Sequence, residues 1–555
     1  MKPKTTTRAI STLFAVTSLI LAASTASAGE LSRKAKKLRD TRGTDKVEVI
    51  VAYDQMPGAS EKGRIKGLEG TITRAFDNIP VRVMNVPAHA LNALSKAKGV
   101  RFVSTNESVQ AFSESARKTA GLPVDAGDDS SWMPQVYSDV AIAVVDSGVA
   151  SHGDLNEQGY LNCLGGACVT STVQMDPFGH ATHVAGVIAG DGTKSGGQHR
   201  GVAEFAPIVS LRVLDHEGQG NVADVIAALD WILSNGVLNN IRVVNLSLGK
   251  GVEESNATDP LVLAVEQLWD AGFVVVVSAG NYGRDGNFTI TSPGNSRKVI
   301  TVGSLTDSGT GTDFSDDYVS TYSSQGPTLE DHILKPDLIA PGNRFVSATN
   351  TMTDLKDQLG NQHVCSGQCR NYYLRLSGTS MSAGMVSGAV ALMLSQDPGL
   401  SPATVKARLM RSARKIPGDA TATGAGVLDV QAALADTGYM TTEALSPIMA
   451  RSDEGDVILV EDTGQLWGDQ QWAAGYLWAN GYLWANGYTQ ADGYLWADGY
   501  LWANGYLWAN GYLWANGYLW ANGYLWANGY LWANAVANTD PLYSNTTGEW
   551  VVNDD

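Results

Sequence analysis

Cysteine is scarce, with four in 555 residues. They fall in two close pairs, Cys163/Cys168 and Cys365/Cys369, and no His or further Cys completes a four-ligand set at zinc-like spacing. In a secreted chain that favours disulfides over metal ligands. Two local bridges are expected, with the crossed pairings left open by sequence. Long apolar runs are missing too. The one near the N-terminus, Leu13 to Ala23, is too short to span a bilayer comfortably, and no other stretch reaches spanning length. Basic charge is in deficit: 39 Lys and Arg against 56 Asp and Glu leave a net −17, which argues against nucleic-acid binding.

What is present is unevenly spread. Lys2, Lys4 and Arg8 precede the short apolar run, and Ala26-Ser27-Ala28 follows it as a small-residue cleavage site. Residues 1–28 therefore read as a secretory leader, and the chain is expected outside the cell. Residues 29–120 hold 17 basic against 10 acidic side chains, a net of +7, while residues 121–555 carry −27. A basic leader beside an acidic body makes two surfaces that attract; a solvated acidic exterior is the plainer alternative. Hydrophobic residues make up 44% of the chain, enough for a substantial core in a protein of several parts.

Three stretches carry chemistry. Leu376-Ser377-Gly378-Thr379-Ser380-Met381 puts a hydroxyl where a small-residue loop becomes an apolar helix. There, unpaired backbone N–H groups and the helix dipole stabilise a nearby oxyanion. A lone Gly-Thr-Ser is more often a simple helix cap. Val140 to Val145 is an apolar, strand-length run ending in Asp146, and His180 stands ahead of the small-residue helix Ala181 to Gly186. Asp, His and Ser occur in the order known from subtilisin, not that of chymotrypsin or the α/β-hydrolases. Position 382 is Ser, so the nucleophile elbow of the latter is absent as well.

Together these motifs resemble those of the subtilisin-like serine proteases, the subtilase family, over roughly residues 135–435. Further matching segments are Asn245 to Gly249, Val277 to Asn281, Tyr322 to Pro327 and Lys335 to Gly342. The resemblance implies Ser380 as nucleophile, His180 as general base and then acid, Asp146 as the group orienting the imidazole, and Asn281 as oxyanion donor. His183 is the rival imidazole, expected instead to be a packed helix residue. The resemblance also implies an extended protein or peptide substrate between Ser247-Leu248-Gly249 and Gly218-Gln219-Gly220, with Ser278, Ala279, Gly280 and Thr291 lining the primary pocket. No cofactor is required for the chemistry. Asp154 matches a calcium ligand of some relatives, but the loop Thr193 to His199 does not match, so the metal assignment stays open. Ala181, Ser382 and Gly384 stand where Gly, Ala and Pro are usual.

The fold expected is α/β: a subtilisin-like parallel sheet with helices on both faces, preceded by a ferredoxin-like α+β unit and followed by a β-rich repeat tail. The divisions are 1–28 leader, 29–120 inhibitory pro-segment, 121–440 catalytic domain, 441–474 linker, 475–534 repeats and 535–555 tail. Residues 29–45 read as a flexible lead-in. Strands follow at Lys46–Tyr53, Gly70–Phe76 and Val81–Val86, then a helix over Ala88–Lys98 and a last strand near Val100. By resemblance this segment assists folding and blocks the cleft as the chain's own inhibitor, with self-cleavage within 110–125. In the body, helices are expected from Asn221, over Pro260–Ala271 and over Pro402–Lys415.

From Gly475 to Asn534 the hexapeptide Gly-Tyr-Leu-Trp-Ala-Asn recurs, decayed badly only at Gly487 to Asp492. Asn-Gly turns favour a meander of hairpins, whereas a fixed period favours a β-solenoid. Tyr and Trp share one face of any such strand, fit either for binding glycan or a surface or for the repeat's own core. The reading of the whole is a secreted, pro-segment-controlled serine endopeptidase. The alternatives are a surface- or glycan-binding repeat protein whose protease domain is secondary, and an esterase or acyl transferase on the same triad.

Overall fold

The computed structural model describes residues 30–111 and 140–451, apart from 59, 107 and positions within 308–313, 351–372 and 415–418, together with Ala120 and the strands between 457 and 552. The N-terminal unit begins with β1 (Glu30–Leu31), α1 (Arg33–Arg42), β2 (Lys46–Tyr53), α2 (Ser60–Gly67), β3 (Thr71–Ala75), β4 (Val81–Pro87), α3 (Leu91–Ser95) and β5 (Val100–Thr105). From β2 to β5 the order is β-α-β-β-α-β, in a sheet ordered β1-β5-β2-β4-β3. The lead-in is not a loose segment. Ser32 caps α1 by accepting the Ala35 N–H, and Leu31, Ala35 and Leu38 recur at helical spacing against the sheet. The sequence hid this because most of α1 is Lys and Arg.

Alternation along β2 sends side chains to two places. Val49, Val51 and Tyr53 join Ile65, Leu91 and Leu94 in the unit's own core. Ile50 and Ala52 join Phe76, Ile79, Val81, Val83 and Phe102 in the core of the rest of the molecule. After β5 comes β6 (Ser108–Ala111), which leaves the unit altogether.

The body is built on β7 (Ala141–Asp146), β8 (Asn156–Asn162), β9 (Val169–Thr170), α4 (His180–Ala189), β10 (Pro207–Arg212), β11 (Gln219–Asn221), α5 (Val222–Asn235), β12 (Ile241–Leu246), β13 (Leu248–Gly249), α6 (Pro260–Asp270), β14 (Val274–Ser278) and β15 (Ile300–Thr306). Then follow β16 (Tyr318–Val319), β17 (Leu338–Pro341), α7 (Thr379–Gln396) and α8 (Pro402–Ser412). The main sheet runs β16-β15-β14-β12-β7-β10-β8-β9, with β17 also on β15. Its central pairs are parallel and only the edge strands β9 and β16 run antiparallel. Every residue of β7 and β14 is buried, as a parallel sheet covered on both faces requires.

Caps set the helices as their sequences anticipate. Asn221 accepts from Asp224 N, Asp259 from Leu261 N and Ser401 from Thr404 N, with Pro260 and Pro402 opening their helices. Helix α8 nevertheless ends at Ser412, short of the expected Lys415, because Ala413 turns extended and Arg414 exchanges two backbone hydrogen bonds with Val427. Cys163 and Cys168 form a disulfide beside β9. Cys365 and Cys369 lie outside the described residues.

In the repeats the backbone pairing is parallel, and residues paired with each other between Leu477 and Ala533 stand eighteen positions apart, whereas Tyr518 to Ala521 face Ala535 to Asn538, seventeen on. A meander would pair antiparallel neighbours instead.

Candidate active site

Strands β7, β12 and β14 end on one side of the sheet, where ligands of open α/β sheets bind. Asp146 is the last residue of β7, and both its oxygens lie 2.9 Å from Nδ1 of His180, the first residue of α4. Both side chains are fully buried. Nδ1 therefore carries the proton it donates to the carboxylate, which leaves Nε2 as the basic nitrogen.

Ser380 lies in the first turn of α7, where backbone N–H groups have no partner within the helix. Its hydroxyl donates to the Ser247 carbonyl at 3.3 Å. No direct hydrogen bond joins it to His180 among the described residues. Asn281 follows the end of β14. Its Oδ1 accepts both the Thr379 N–H and the Thr379 hydroxyl at 3.1 Å, so its NH₂ end is the outward donor.

His183 is one helical turn from His180 and packed out of the way. Its Nε2 faces the carbonyls of Leu374 (3.0 Å) and Phe345 (3.3 Å), and burial, with the neighbouring His180, pushes it down to about 3. It stays neutral at any ordinary pH and holds α4 to the adjacent strands.

Sequence reasoning missed the groups that hold these elements together. Asp176 is wholly buried, and burial raises its pKa, opposed by donors from Thr182 Oγ1 (2.7 Å), Thr182 N (2.8 Å), Gly179 N (2.7 Å) and Ser147 Oγ (2.8 Å). Ser147 Oγ in turn accepts the Ala181 N–H, so one carboxylate ties the end of β7 to the start of α4. The available signal was an Asp four residues before His180. On the other side, Ser247 Oγ donates to Asn245 Oδ1 while Asn245 Nδ2 donates to Ser387 in α7. Ser382, at a departure from the family pattern, donates to Ala340 O at 2.8 Å and pins the helix start to β17. Ala181 is helical, so its extra methyl is accommodated.

The two expected substrate edges face each other across a strand. Strand β6 lies antiparallel between β11 and β13, pairing Gln110 with Gln219, Val109 with Gly220 and Ala111 with Leu248. Gly218 takes φ +74, and a Cβ there would stand 2.5 Å from the Phe178 ring. Thr291 donates by N–H and hydroxyl to Ala279 O, and Gly280, at φ +106, has no room for a side chain against Thr291 and Ser324. Ser278, Ala279, Gly280 and Thr291 are thus gathered beside β13.

The N-terminal unit grips the body through polar contacts around its apolar face. Arg74 meets Asp224 at 2.6 Å, the backbone N–H groups of Asp77 and Asn78 donate to Asp230, and Asn106 accepts the Ala223 N–H. Ser104 donates to Glu254 at 3.0 Å. Glu254 shares Lys250 with Asp259, and Lys250 is nearer Asp259 (3.0 Å) than Glu254 (3.4 Å). Burial, then Asp259, pushes Glu254 up to about 7.

At Asp154, the position left open for calcium, both carboxylate oxygens accept hydrogen bonds from within the chain. Its Oδ1 accepts the Lys194 N–H at 2.7 Å and its Oδ2 the Tyr373 hydroxyl, while the Lys194 side chain covers Gly153. No cluster of three or more acidic, His or Cys side chains suits a metal among the described residues.

The sequence matches the model of the subtilase family over residues 137–428. It is 34% identical over 381 residues to serine protease AprX of Bacillus subtilis, spanning 67% of this chain and 83% of that one. Subtilisin E of the same species is 30% identical over 438 residues, with 76% and 98% covered. The extracellular serine proteinase of a Thermus strain is 30% identical over 388 residues, with 66% and 82% covered. In fold, the chain is similar to fervidolysin of Fervidobacterium pennivorans, a keratinolytic enzyme related to subtilisin, with a TM-score of 0.58 and 24% identity. That likeness covers 75% of this chain and 64% of the fervidolysin chain. A carboxylate, an imidazole and a hydroxyl at the ends of a parallel sheet, on a sequence matched over half its length, make this chain a member of the subtilase family of serine peptidases.

Proposed function

We propose that the protein is a secreted serine endopeptidase made as a zymogen. Ser380 attacks the scissile carbonyl, His180 Nε2 takes its proton and returns it to the leaving amine, and Asp146 fixes the ring and supports the imidazolium. The Asn281 NH₂ and the Ser380 N–H receive the tetrahedral oxyanion. The observation that carries this reading is the buried His180–Asp146 pair at 2.9 Å, which leaves Nε2 as base on the side where the strands end. The Ser380 hydroxyl is bonded to Ser247 O, and its bond to Nε2 is expected to form in the reactive complex, as such bonds often do.

Support for zymogen control is the seat of β6, which fills the edge-to-edge slot where an extended substrate would pair. Support for secretion is the leader-like 1–28 segment and a relative described as extracellular. Among the described residues no helix is long and apolar enough to cross a membrane. Processed protein, compared with S380A, should degrade unfolded casein and internally quenched peptides. Turnover of esters without peptide cleavage would favour the esterase reading, and no serine-dependent turnover of either would remove the enzyme.

The repeats enter this proposal as a tether. The eighteen-residue register supports a solenoid of three hexapeptides per coil, which aligns Trp478, Trp496, Trp514 and Trp532 in one row and Trp484, Trp502 and Trp520 in another. A ladder of tryptophans repeating in the backbone register about every 4.8 Å would suit a polysaccharide surface. Co-sedimentation of the full chain with insoluble polysaccharide, lost on truncation before Gly475, is the expected result. Equal sedimentation of both forms would make the ladder mere packing.

A further inference from the structure

Helix α4 begins at His180 without a cap of its own. Its N-cap residue is Gly179, at φ +99, which has no side chain to accept the first N–H groups of the helix. Asp176 and Ser147 take over that task. Asp176 Oδ1 accepts the Gly179 N–H, Asp176 Oδ2 the Thr182 N–H and Ser147 Oγ the Ala181 N–H, so the backbone on both sides of His180 is held from outside the helix. Ser147 follows Asp146 in sequence, and its own N–H donates to Asp146 Oδ1 at 2.6 Å while its hydroxyl donates to Asp176 at 2.8 Å. One serine thus bridges two buried carboxylates, and only one of them touches the imidazole.

The placing of hydrogens fixes the charge on Asp176. Ser147 Oγ accepts the Ala181 N–H and Thr182 Oγ1 accepts the Ala150 N–H at 3.0 Å, which commits the single proton of each hydroxyl to Asp176. With the Gly179 and Thr182 N–H groups, the carboxyl faces four donors and no acceptor, and a proton on either oxygen would point at a donor. Burial raises its pKa, and the four donors oppose that rise and favour the ionised form. Its neighbours supply no equivalent charge. His183 is neutral, burial keeps the Tyr160 phenol protonated, and the Arg212 guanidinium is turned to Leu214 O and Met175 Sδ. We propose that Asp176 is a positioning residue for the catalytic pair: through Ser147 it fixes Asp146, through the Gly179 and Thr182 N–H groups it fixes the start of α4, and its buried negative charge favours the imidazolium that His180 becomes on taking the Ser380 proton. This rests on the endopeptidase reading above. Both effects act on the proton-transfer step and leave the β11 and β13 edges untouched, so they belong to kcat and not to KM.

The test is the pH profile of kcat and KM for processed protein on one internally quenched peptide, with two variants that separate charge from tether. Asp176→Asn keeps the shape and removes the charge; Ser147→Ala keeps the charge and removes the bridge. Asp176→Asn should lower kcat at least about tenfold with KM changed less than about twofold. It should also move the acid limb of kcat/KM to lower pH, by about half a pH unit, because the imidazolium then lacks a buried counter-charge and gives up its proton more readily. Ser147→Ala should lower kcat about threefold and leave the limb in place. A limb that stays put in Asp176→Asn overturns the role of the charge, and an unchanged kcat in both variants overturns the positioning. A wild type without peptide turnover overturns instead the endopeptidase reading. Where Asp176→Asn yields no folded protein, Asp176→Glu replaces it, keeping the charge on a longer arm. A lower kcat with an unmoved limb is then expected, whereas full kcat, or a limb moved despite the retained charge, contradicts the proposal.

Discussion

The two sheets of this molecule are covered in different ways. The body's sheet is buried on both faces with strands such as β14, Val-Val-Val-Val-Ser, apolar throughout until the residue that opens the site. The N-terminal sheet has helices of its own on one face only; its other face, with Ile50, Ala52, Phe76, Ile79 and Val83, shares the body's core. The first sheet is complete by itself and holds atoms in register for chemistry. The second is completed by its neighbour, with an apolar centre and a rim of ion pairs like those of a protein–protein interface, so release of this unit exposes an apolar face. Under the proposed zymogen reading, the permanence of one sheet's cover and the dissociability of the other's follow from who supplies the covering layer.

Substituting Ser380→Ala breaks the comparison most severely. Peptide hydrolysis should fall roughly a millionfold, the scale known for subtilisin's own serine and carried over from it, and the N-terminal unit should stay covalently attached. Next is Asn281→Leu, expected to lower kcat by about 100- to 1000-fold with little change in KM, again the range established for subtilisin's oxyanion donor. Steady-state kinetics on one peptide substrate checks both. Phe76→Ala sharpens the contrast between the two sheets: a large-to-small change in a core costs about 3–5 kcal/mol. Here it removes contacts shared with the body, so active enzyme should appear sooner after processing while the mature enzyme's melting temperature is unchanged.

The smallest effect concerns pH. With the N-terminal unit in place Glu254 is pushed up to about 7 from an ordinary 4.5, so this folded form holds a proton the unfolded chain gives up. Its stabilising contribution is full below pH 4.5 and is lost as pH rises toward 7, with no further loss above. In an unprocessed S380A background, melting temperatures should fall across that window, and Glu254→Gln should flatten the slope. An unchanged slope would mean that Glu254 is ionised beneath Ser104 throughout.

The places of Asp146, His180 and Ser380 at element ends were legible because local sequence speaks loudly there. An apolar run ending in Asp146, a small-residue helix opening at His180 and another opening near Ser380 mark strand and helix ends directly. The Asp176, Ser147 and Thr182 network was not legible, since a buried carboxylate shows its worth only when donors from separate elements converge on it. Helix α1 was misread because its apolar stripe is three residues wide in a field of Lys and Arg. In the repeats, Asn-Gly argued locally for hairpins, and a six-residue period fits any register that is a multiple of six. The hydrogen bond that Tyr373, 219 residues away, donates to Asp154 has no signal in the local sequence.

The account's central claim is that Asp146, His180 and Ser380 act as one proton-transferring unit on a nucleophilic hydroxyl. Labelling the processed protein with a fluorophosphonate and reading the adduct by peptide mass spectrometry tests this most directly. One adduct on Ser380, abolished by prior denaturation and strongly slowed by His180→Ala, is predicted. Casein-degrading protein that takes no label at Ser380, or labels as fast without His180, would contradict it.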